Sequence, residues 1–419
     1  DFSGQWIDDG RVCRVAPYVE TADGATSQAF AAVAREFNCF LVFGMPERDP
    51  VTDLYYNSAI LVGPRGVIGV HRKTHPYISE PKWAANGDVG HQVFHTEIGN
   101  IALLICMDIH FIETARLAAL GGAQIICHIS NWLAERTPAP YWLTRGWENG
   151  CALIESNRWG WERGVQFSGG SCIVDSHGNV LASCDSGDRI LSAELQLPEE
   201  NPQLKKRRPE LYQRLITNTF FWNPQDFFGL YGRNPLPDGK ASRIAVAQFR
   251  PQNDVDVNLA QIRHWAEQAK SGGAELLVLP ERALTGGDGS RYALTLDDAP
   301  VQALIALAME LDIALLAGFA EREGEQCYNS AVLVSSDGVS AHYRQIHVSE
   351  QDRQWACAGN QWVTCDLPCG RVGILLGEDL LVPEAARILA LEGCDIIACP
   401  AQLHSPVPMA HAGTAIPHV

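Results

Sequence analysis

The organisation of this chain is clearest in residues 99–120, which read GNIALLICMDIHFIETARLAAL. Residues 101–105 form an apolar run typical of a buried strand, and this run ends at Cys106. Residues 112–120 have the composition of a helix, and two glycines follow that can end it. We therefore predict that Cys106 lies on a turn between a buried strand and a helix.

A thiol on such a turn can be reactive. The dipole and the free backbone amides at a helix start lower the pKa of a thiol and hold a negatively charged oxygen. The amide of Met107 is placed to face such an oxyanion. Free cysteine is also among the most buried residue types, so position alone leaves open that Cys106 is an inert core thiol.

The chain contains an internal repeat. Residues 56–59 read YNSA, and the same four letters recur at residues 328–331, an offset of 328 − 56 = 272. The same offset relates further pairs: Arg72 and Arg344, His75 and His347, Trp83 and Trp355, Gly87 and Gly359. After a one-residue slip, the likeness continues through residues 125–126 and 396–397. Two copies of one module are predicted.

Strands alternate with helices in each copy, which predicts an α/β layer fold. In the second copy we predict a strand at 244–249, a helix at 257–270 and a strand at 276–279. The predicted domains are residues 1–200 and 241–419. Residues 201–240, rich in proline, asparagine and glycine, are predicted to be an extended connector.

Lys73 closes another predicted strand, where a lysine is usually only solvated. The second copy, however, has Gln345 and Gly377 at the positions of Lys73 and Cys106. One copy keeps both the amine and the thiol, and the other has lost both. This joint loss is what a decayed active site would show, so Lys73 and Cys106 are predicted to share one site.

Several linked motifs resemble the nitrilase superfamily of carbon–nitrogen hydrolases. In the first copy they are HRKTH at 71–75, ICMD at 105–108, ETAR at 113–116, SNW at 130–132, WEN at 147–149 and SGGS at 168–171. In the second copy they are LPERALTG at 279–286, YRQIH at 343–347 and PEAAR at 383–387. The resemblance covers nearly the whole chain outside the connector.

The resemblance implies two tandem αββα sandwich domains, the first lacking its N-terminal part and the second its C-terminal part. It also implies a Glu–Lys–Cys triad, with Cys106 as nucleophile and with Lys73 and the Met107 amide stabilising the oxyanion. Glu80 falls at the position of the family's second glutamate, although it could be a solvated loop carboxylate. Asn131 and Trp132 fall where the family lines its substrate pocket, although Trp132 could instead cap the core.

The family's general base is the glutamate of a Pro-Glu motif, which the second copy carries as Glu281. Aligning Gly286 with Gly4 places the equivalent glutamate of the first copy before residue 1. We expect the second copy to be catalytically dead because Gln345 and Gly377 replace its cation and nucleophile. The first copy is expected to work only if the natural chain extends upstream.

Three histidines could also act as bases, although the family does not need them: His75, His110 and His128.

Composition excludes several classes of protein. The chain has 419 residues, 46% of them hydrophobic, and a net charge of −17, which disfavours nucleic-acid binding. No stretch approaches the roughly 18 apolar residues of a membrane span, so a soluble, cytoplasmic protein is expected. The 13 cysteines are odd in number and scattered, so they are expected to be reduced. We expect no metal ion and no cofactor.

The leading hypothesis is an amidase-like hydrolase that cleaves a non-peptide amide, or a carbamoyl compound or nitrile, through a thioester at Cys106. The sequence Cys106-Met107-Asp108 looks more like the amidase and carbamoylase branches than like the Cys-Trp-Glu of enzymes acting on nitriles. The alternative is a catalytically dead scaffold that binds a small molecule or a partner. A glutaminase fused to a synthetase is disfavoured, because no nucleotide-binding glycine loop is present.

The second copy is expected to act as a built-in dimer partner of the first, with a homo-oligomer also possible.

Overall fold

The computed structural model describes residues 15–77, 79–133, 137–162, 164–216, 240–287, 289 and 291–402. The described residues fall into two compact units, of which the first ends at Lys205 and the second begins at Lys206. Each unit is described by itself below. Within the described ranges, no helix is both long enough and apolar enough to cross a lipid bilayer.

The first unit contains two main sheets. One is an antiparallel meander of β1 (Leu41–Arg48), β2 (Tyr55–Gly63) and β3 (Gly66–Arg72). The other has the order β11-β10-β7-β6-β5-β4 and consists of β4 (Val93–Thr96), β5 (Gly99–Ile105), β6 (Ile125–Ser130), β7 (Ala152–Asn157), β10 (Ser171–Val174) and β11 (Val180–Cys184). A separate hairpin is formed by β8 (Trp159–Glu162) and β9 (Val165–Ser168). The helices are α1 (Ala25–Phe37), α2 (Ile112–Leu120), α3 (Pro140–Glu148) and the short α4 (Pro202–Lys205).

Strand β2 shows why the two sheets stack. Ala59 and Leu61 pack into the core shared with β5 and β6, whereas Ile60 and Val62 pack against α1. Successive side chains of a strand point to opposite faces, so a strand that is apolar at every position is buried on both sides. Helices α2 and α3 cover the far side of the larger sheet. The first unit is therefore a helix–sheet–sheet–helix sandwich.

The second unit repeats this arrangement. Its first sheet has the order β12-β13-β14-β15-β16 and consists of β12 (Ile244–Val246), β13 (Leu276–Val278), β14 (Ala314–Glu323), β15 (Gln326–Ser335) and β16 (Gly338–Arg344). Its second sheet consists of β17 (Thr364–Leu367), β18 (Gly370–Ile374) and β19 (Ile396–Ala398). Its helices are α5 (Val255–Ser271), α6 (Ala299–Leu311) and α7 (Pro383–Leu391). In β15, Val332 and Val334 face the helices, whereas Ala331 and Leu333 face the other sheet.

The predicted α/β class with two tandem αββα units is confirmed. Helix α2 has the predicted bounds, whereas the strand predicted at 244–249 ends at Val246. Just beyond the predicted strand, the Asn258 side chain accepts a hydrogen bond from the amide of Gln252 and donates one to its carbonyl, each at 2.7 Å.

The prediction of an extended connector is wrong over residues 202–216. This stretch forms α4 and two 3-10 turns, Pro209–Leu211 and Gln213–Ile216. The turns are fastened to the second unit by Tyr212, whose hydroxyl lies 2.8 Å from His347 Nε2, and by the 2.6 Å ion pair of Arg207 with Glu384. Residues 217–239 of the predicted connector lie outside the described residues.

Candidate active site

The predicted nucleophile lies on a sharp turn. Cys106 follows β5 directly and begins a 3-10 helix, Cys106–His110, that leads into α2. Its φ angle is 44°, in the left-handed region that residues with a Cβ seldom adopt. Met107 is the second residue of the 3-10 helix, where backbone amides have no partner within the helix. The turn thus presents a buried thiol beside amides that are able to hold an oxyanion.

The predicted cation is buried and paired. Lys73 follows β3, and its Nζ lies 2.6 Å from Glu80 Oε2. The other carboxylate oxygen of Glu80 accepts a 2.7 Å hydrogen bond from Asn57 Nδ2, and the amide of Tyr77 also donates to this carboxylate. Both Lys73 and Glu80 are only 1% exposed, so Glu80 is not a solvated loop carboxylate. A buried ammonium requires a partner of this kind, because desolvation alone would strongly disfavour its charge.

Asp108 holds the turn of Lys73 against the turn of Cys106. Its Oδ2 accepts a 3.1 Å hydrogen bond from the amide of Ile105, the residue before the thiol. Its Oδ1 accepts a 3.1 Å bond from the amide of Thr74, the residue after the lysine. One carboxylate therefore joins the backbone on both sides of the site and brings Lys73 and Cys106 into one region.

Two histidines complete the shell of Asp108. His71 Nε2 lies 2.8 Å from Oδ2, and His75 contacts Oδ1 through its amide at 3.0 Å and its Nδ1 at 3.3 Å. Burial would raise the pKa of Asp108, but the bonds from His71 and His75 outweigh it and hold the pKa well below its ordinary value. Asp108 is thus an ionised anchor, and His75 is committed to it.

The surroundings of Cys106 raise the pKa of its thiol. Burial raises the pKa of Cys106 above its ordinary value, the positive charge of Lys73 works against this rise, and the negative charge of Glu80 adds to it. The resting thiol is therefore protonated at neutral pH. It must lose its proton as it attacks, which calls for a base or a carboxylate proton shuttle.

Asn131 and Trp132 follow β6, the strand next to β5. Trp132 is buried, stacks on the ring of His110 at 5.0 Å and donates its amide to Asn157 Oδ1 at 2.8 Å. Asn131 is half-buried. Because β5 and β6 are parallel, their carboxyl ends lie at one edge of the sheet, which places both residues on the side of Cys106.

The three histidines weighed as alternative bases are each committed to another contact. His75 binds Asp108 and stacks on Phe111 at 3.8 Å. His110 Nε2 lies 3.2 Å from the hydroxyl of Tyr141. His128 is fully buried behind the thiol turn, with its Nε2 3.0 Å from the carbonyl oxygen of Cys106.

The second unit brings its three degenerate positions together. A Cβ built on Gly377 would lie 2.8 Å from Glu281 Oε2 and 2.9 Å from Gln345 Nε2. Asn329 Nδ2 donates to both neighbours, to Glu281 Oε1 at 2.6 Å and to Gln345 Oε1 at 2.9 Å. Gly377 has a φ of 52°, close to that of Cys106. The same turn is therefore present without a thiol or an ammonium.

The anchor of this turn is also repeated. Asp379 accepts a 3.1 Å bond from the amide of Leu376, a 2.8 Å bond from the amide of His347 and a 2.7 Å bond from the hydroxyl of Tyr343. Burial raises the pKa of Glu281, and the bond from Asn329 opposes this only in part. The carboxyl of Glu281 thus resists ionisation.

Sequence reasoning missed the two aspartate anchors. The signal was available, because Asp108 and Asp379 are related by the same slipped offset of 379 − 108 = 271 that the repeat shows nearby. It also missed Glu155, which lies opposite His128 in the parallel pair of β6 and β7. Nothing in the local sequence marks that pairing.

Comparison with known proteins decides the family. A family model described as carbon-nitrogen hydrolase matches residues 10–202 and 243–415. This chain belongs to the carbon–nitrogen hydrolase family. The two matched segments confirm the resemblance that the sequence motifs indicated. They also place the Cys106 turn and the Gly377 turn in two carbon–nitrogen hydrolase segments of one chain.

Individual members of the carbon–nitrogen hydrolase family match less than half of this chain. A nitrilase from Pyrococcus abyssi is 34% identical over 201 residues, covering 46% of this chain and 76% of the relative. A citrullinase from Francisella tularensis is 30% identical over 177 residues, covering 39% of this chain and 62% of the relative. The solved structure of a carbon–nitrogen hydrolase from Helicobacter pylori G27 is 28% identical, with a TM-score of 0.42, and covers 46% of this chain and 76% of that one.

Proposed function

We propose that the first unit hydrolyses a non-peptide amide through a thioester at Cys106. The observation that carries this proposal is the joint placement of a thiol on a left-handed turn and a buried Lys73–Glu80 ion pair, with Asp108 bonded to both turns. The reaction class, hydrolysis of a carbon–nitrogen bond, is inferred from membership of the carbon–nitrogen hydrolase family. Within the first unit, Cys106, Lys73 and Glu80 supply three of the roles.

In the first step, Sγ of Cys106 forms a bond to the amide carbon while the carbonyl oxygen gains negative charge. The ammonium of Lys73 and the amide of Met107 stabilise that charge. The C–N bond then breaks, and the thiol proton leaves with the amine through a carboxylate. Water next attacks the thioester, which releases the acid and returns a proton to the thiol.

Two carboxylates divide the remaining roles. Glu80 holds Lys73 in place, because its Oε2 lies 2.6 Å from Nζ. The proposal assigns proton transfer to a carboxylate at the position that Glu281 occupies in the second unit. Asn131 and Trp132 are assigned to the substrate pocket, and Met107-Asp108 after the thiol favours amides over nitriles.

The test measures product release by the natural chain in full. Primary amides, carbamoyl compounds and nitriles are supplied in turn, and ammonia is followed on the time scale of a single turnover. A burst of one equivalent per chain, with an acyl adduct on the Cys106 peptide by mass spectrometry, supports the thioester. Cys106→Ala should abolish both signals, and the control Cys127→Ala, a thiol on β6, should keep them. Undiminished turnover by Cys106→Ala would refute the proposal.

A cavity in the second unit favours a second candidate function, the binding of a small polar molecule without turnover. The cavity has a volume of about 430 Å³ and is lined in part by Arg250, Asn253, Glu281 and Gln402. Such a role needs neither a thiol nor an ammonium. Small carboxylic acids and amides that raise the melting temperature of the natural chain, but not of Arg250→Ala, would support it. Equal shifts in both proteins would exclude it.

A further inference from the structure

A buried histidine and glutamate lie directly behind the thiol turn. His128 on β6 and Glu155 on β7 are register partners, and they are 0% and 3% exposed. His128 Nε2 lies 3.0 Å from the backbone carbonyl oxygen of Cys106, and Nδ1 of the same ring contacts Glu155 Oε2. One ring therefore bridges a carboxylate and the backbone of the nucleophile. The mechanism above uses neither side chain.

The partners fix where the protons of the ring lie. A backbone carbonyl has no proton to give, so His128 Nε2 must carry a hydrogen and donate it to the oxygen of Cys106. The other ring nitrogen faces the carboxyl of Glu155, so one proton lies between them whichever group formally holds it. The pair is neutral as a whole, and the ring cannot flip without losing a bond at both ends.

The surroundings make this contact dry and rigid. Ser130 Oγ donates to Glu155 Oε1 at 2.5 Å, so the carboxyl is held from its other side. The indoles of Trp132 and Trp142 meet the ring of His128 edge-on, with centroids 6.2 and 5.9 Å away. A hydrogen bond in such surroundings is stronger than one exposed to water.

The turn needs support of this kind. At Cys106 the φ of 44° brings Cβ close to the backbone carbonyl, so this conformation lasts only where neighbouring contacts hold it. A donor fixed on the carbonyl of the same residue does this directly. It also sets the direction of the thiol relative to Lys73.

The second unit is an internal control. Its turn has a φ of 52°, but Gly377 has no Cβ and needs no support. By the offset of 271, the position of His128 corresponds to 128 + 271 = 399, which is Cys399, a weak donor. The strong donor is thus present in the copy whose turn carries a side chain and is replaced in the copy whose turn does not.

We propose that His128 and Glu155 form a positioning pair that holds the backbone of Cys106 in its left-handed conformation and thereby aims the thiol at the site of Lys73. This inference deepens the proposed hydrolase function and rests on it. His128 acts through Cys106 and is not assigned contact with substrate. Loss of the donor lets the turn relax, and the thiolate then loses part of its stabilisation by Lys73.

The matched variants are His128→Leu and His128→Gln. Both remove the ring and leave Glu155 without its ring partner, but glutamine keeps an N–H near the former Nε2. Two readouts are taken on the full chain: kcat and KM for the amide that it hydrolyses, and the pH profile of alkylation of Cys106 by iodoacetamide, followed by mass spectrometry. The exposed thiol of Cys357 serves as the internal reference for alkylation.

We expect His128→Leu to lower kcat by about tenfold, the effect of one lost hydrogen bond at the reacting group, with KM within about twofold. The pH midpoint of Cys106 alkylation should rise, because Lys73 then opposes the effects of burial and of the Glu80 and Glu155 charges less well. His128→Gln should recover most of both losses. Equal behaviour of the two variants, or wild-type behaviour of His128→Leu, would overturn the pair's role.

The two proposals fail separately. If the wild-type chain releases no product from any amide, the proposed hydrolase function fails, and the alkylation profiles still decide whether the pair positions the thiol. If His128→Leu does not fold, Glu155→Gln takes its place, because it removes the carboxyl that holds Nδ1 and leaves an uncharged amide of the same shape. Removal of the Glu155 charge would by itself lower the midpoint, so a raised midpoint in Glu155→Gln supports the pair, and an unchanged or lowered midpoint overturns it.

Discussion

The turn at Cys106 and the turn at Gly377 have the same backbone but different chemistry. Their φ angles are 44° and 52°, and in each the preceding amide donates at 3.1 Å to a buried aspartate, Asp108 or Asp379. Only the first presents a thiol near an ammonium. The comparison shows that the turn and its aspartate anchor are kept where the nucleophile is absent.

A second network is preserved in both units at the end of the meander. In the first unit, Arg72 bonds Glu47 at 2.6 Å and lies 4.0 Å above the ring of Tyr56. In the second, Arg344 bonds Glu321 at 2.5 Å and lies 4.0 Å above Tyr328. These ion pairs survive where the reactive groups have been lost, which assigns them to stability.

The largest expected effect comes from making the first turn like the second. Cys106→Gly should lower amide hydrolysis by roughly a thousandfold or more, as removal of a nucleophile does. Its fold should be more stable than that of Cys106→Ala by about 1 kcal/mol, because glycine accepts positive φ without strain. Turnover assays and melting curves of both variants test this. An alanine variant as stable as the glycine variant would show that the turn is not strained.

Removal of an anchor should be the next largest effect. Asp108→Ala leaves several buried donors without an acceptor and should destabilise the first unit by about 3 kcal/mol. Asp379→Ala should do the same in the second unit. Calorimetry that resolves the two transitions measures each cost. If Asp108→Ala lowers the stability of its unit and Asp379→Ala does not, the two turns do not depend equally on their aspartates.

Filling the empty position of the second turn should cost about 2 kcal/mol. In Gly377→Ala the new methyl group would meet Glu281 Oε2 at 2.8 Å, in addition to the strain of positive φ. Gly324→Ala is the matched control, with a φ of 60° and nothing within 4 Å of the new Cβ, and should cost only about 1 kcal/mol. Equal losses in the two variants would mean that Glu281 moves aside freely.

The last expected effect, close in size to the previous one, depends on pH. Burial would raise the pKa of Glu321, but bonds from His342, Arg344 and Ser330 lower it to about 2. A depressed pKa contributes stability that is present above the unfolded value and is lost as the pH falls from about 4.5 towards 2. Glu321→Gln should therefore be less stable than wild type by about 2 kcal/mol at pH 7 and should lose less of its stability on acidification. Exposed Glu323→Gln is the control, and identical acid profiles for both variants would contradict this assignment.

Much of the fold followed from the sequence because the repeat made each half a check on the other. The paired loss at Gln345 and Gly377 identified Lys73 and Cys106, and the structure brings each pair into one region. Family resemblance pointed to Glu80 as the second glutamate, but its burial against Lys73 was not predicted, since a glutamate after a loop carries no local signal of burial.

What sequence reasoning missed depends on contacts between residues far apart in the chain. Tyr212 shapes the connector by bonding His347, 135 residues away, so a composition rich in turn formers was misleading there. His128 and Glu155 meet only because β6 and β7 pair in one register among several that their apolar patterns allow. Local composition carries no information on either contact.

The crowding at Gly377 has an evolutionary consequence. Glu281 and Gln345 now occupy the space that a restored cysteine would need, so the back mutation made alone meets a steric penalty. Regaining the thiol would require those neighbours to withdraw first, a change that brings no catalytic benefit until the thiol returns. The loss of the thiol is therefore hard to reverse: this half of the chain is free to diverge further, but no single substitution restores the site.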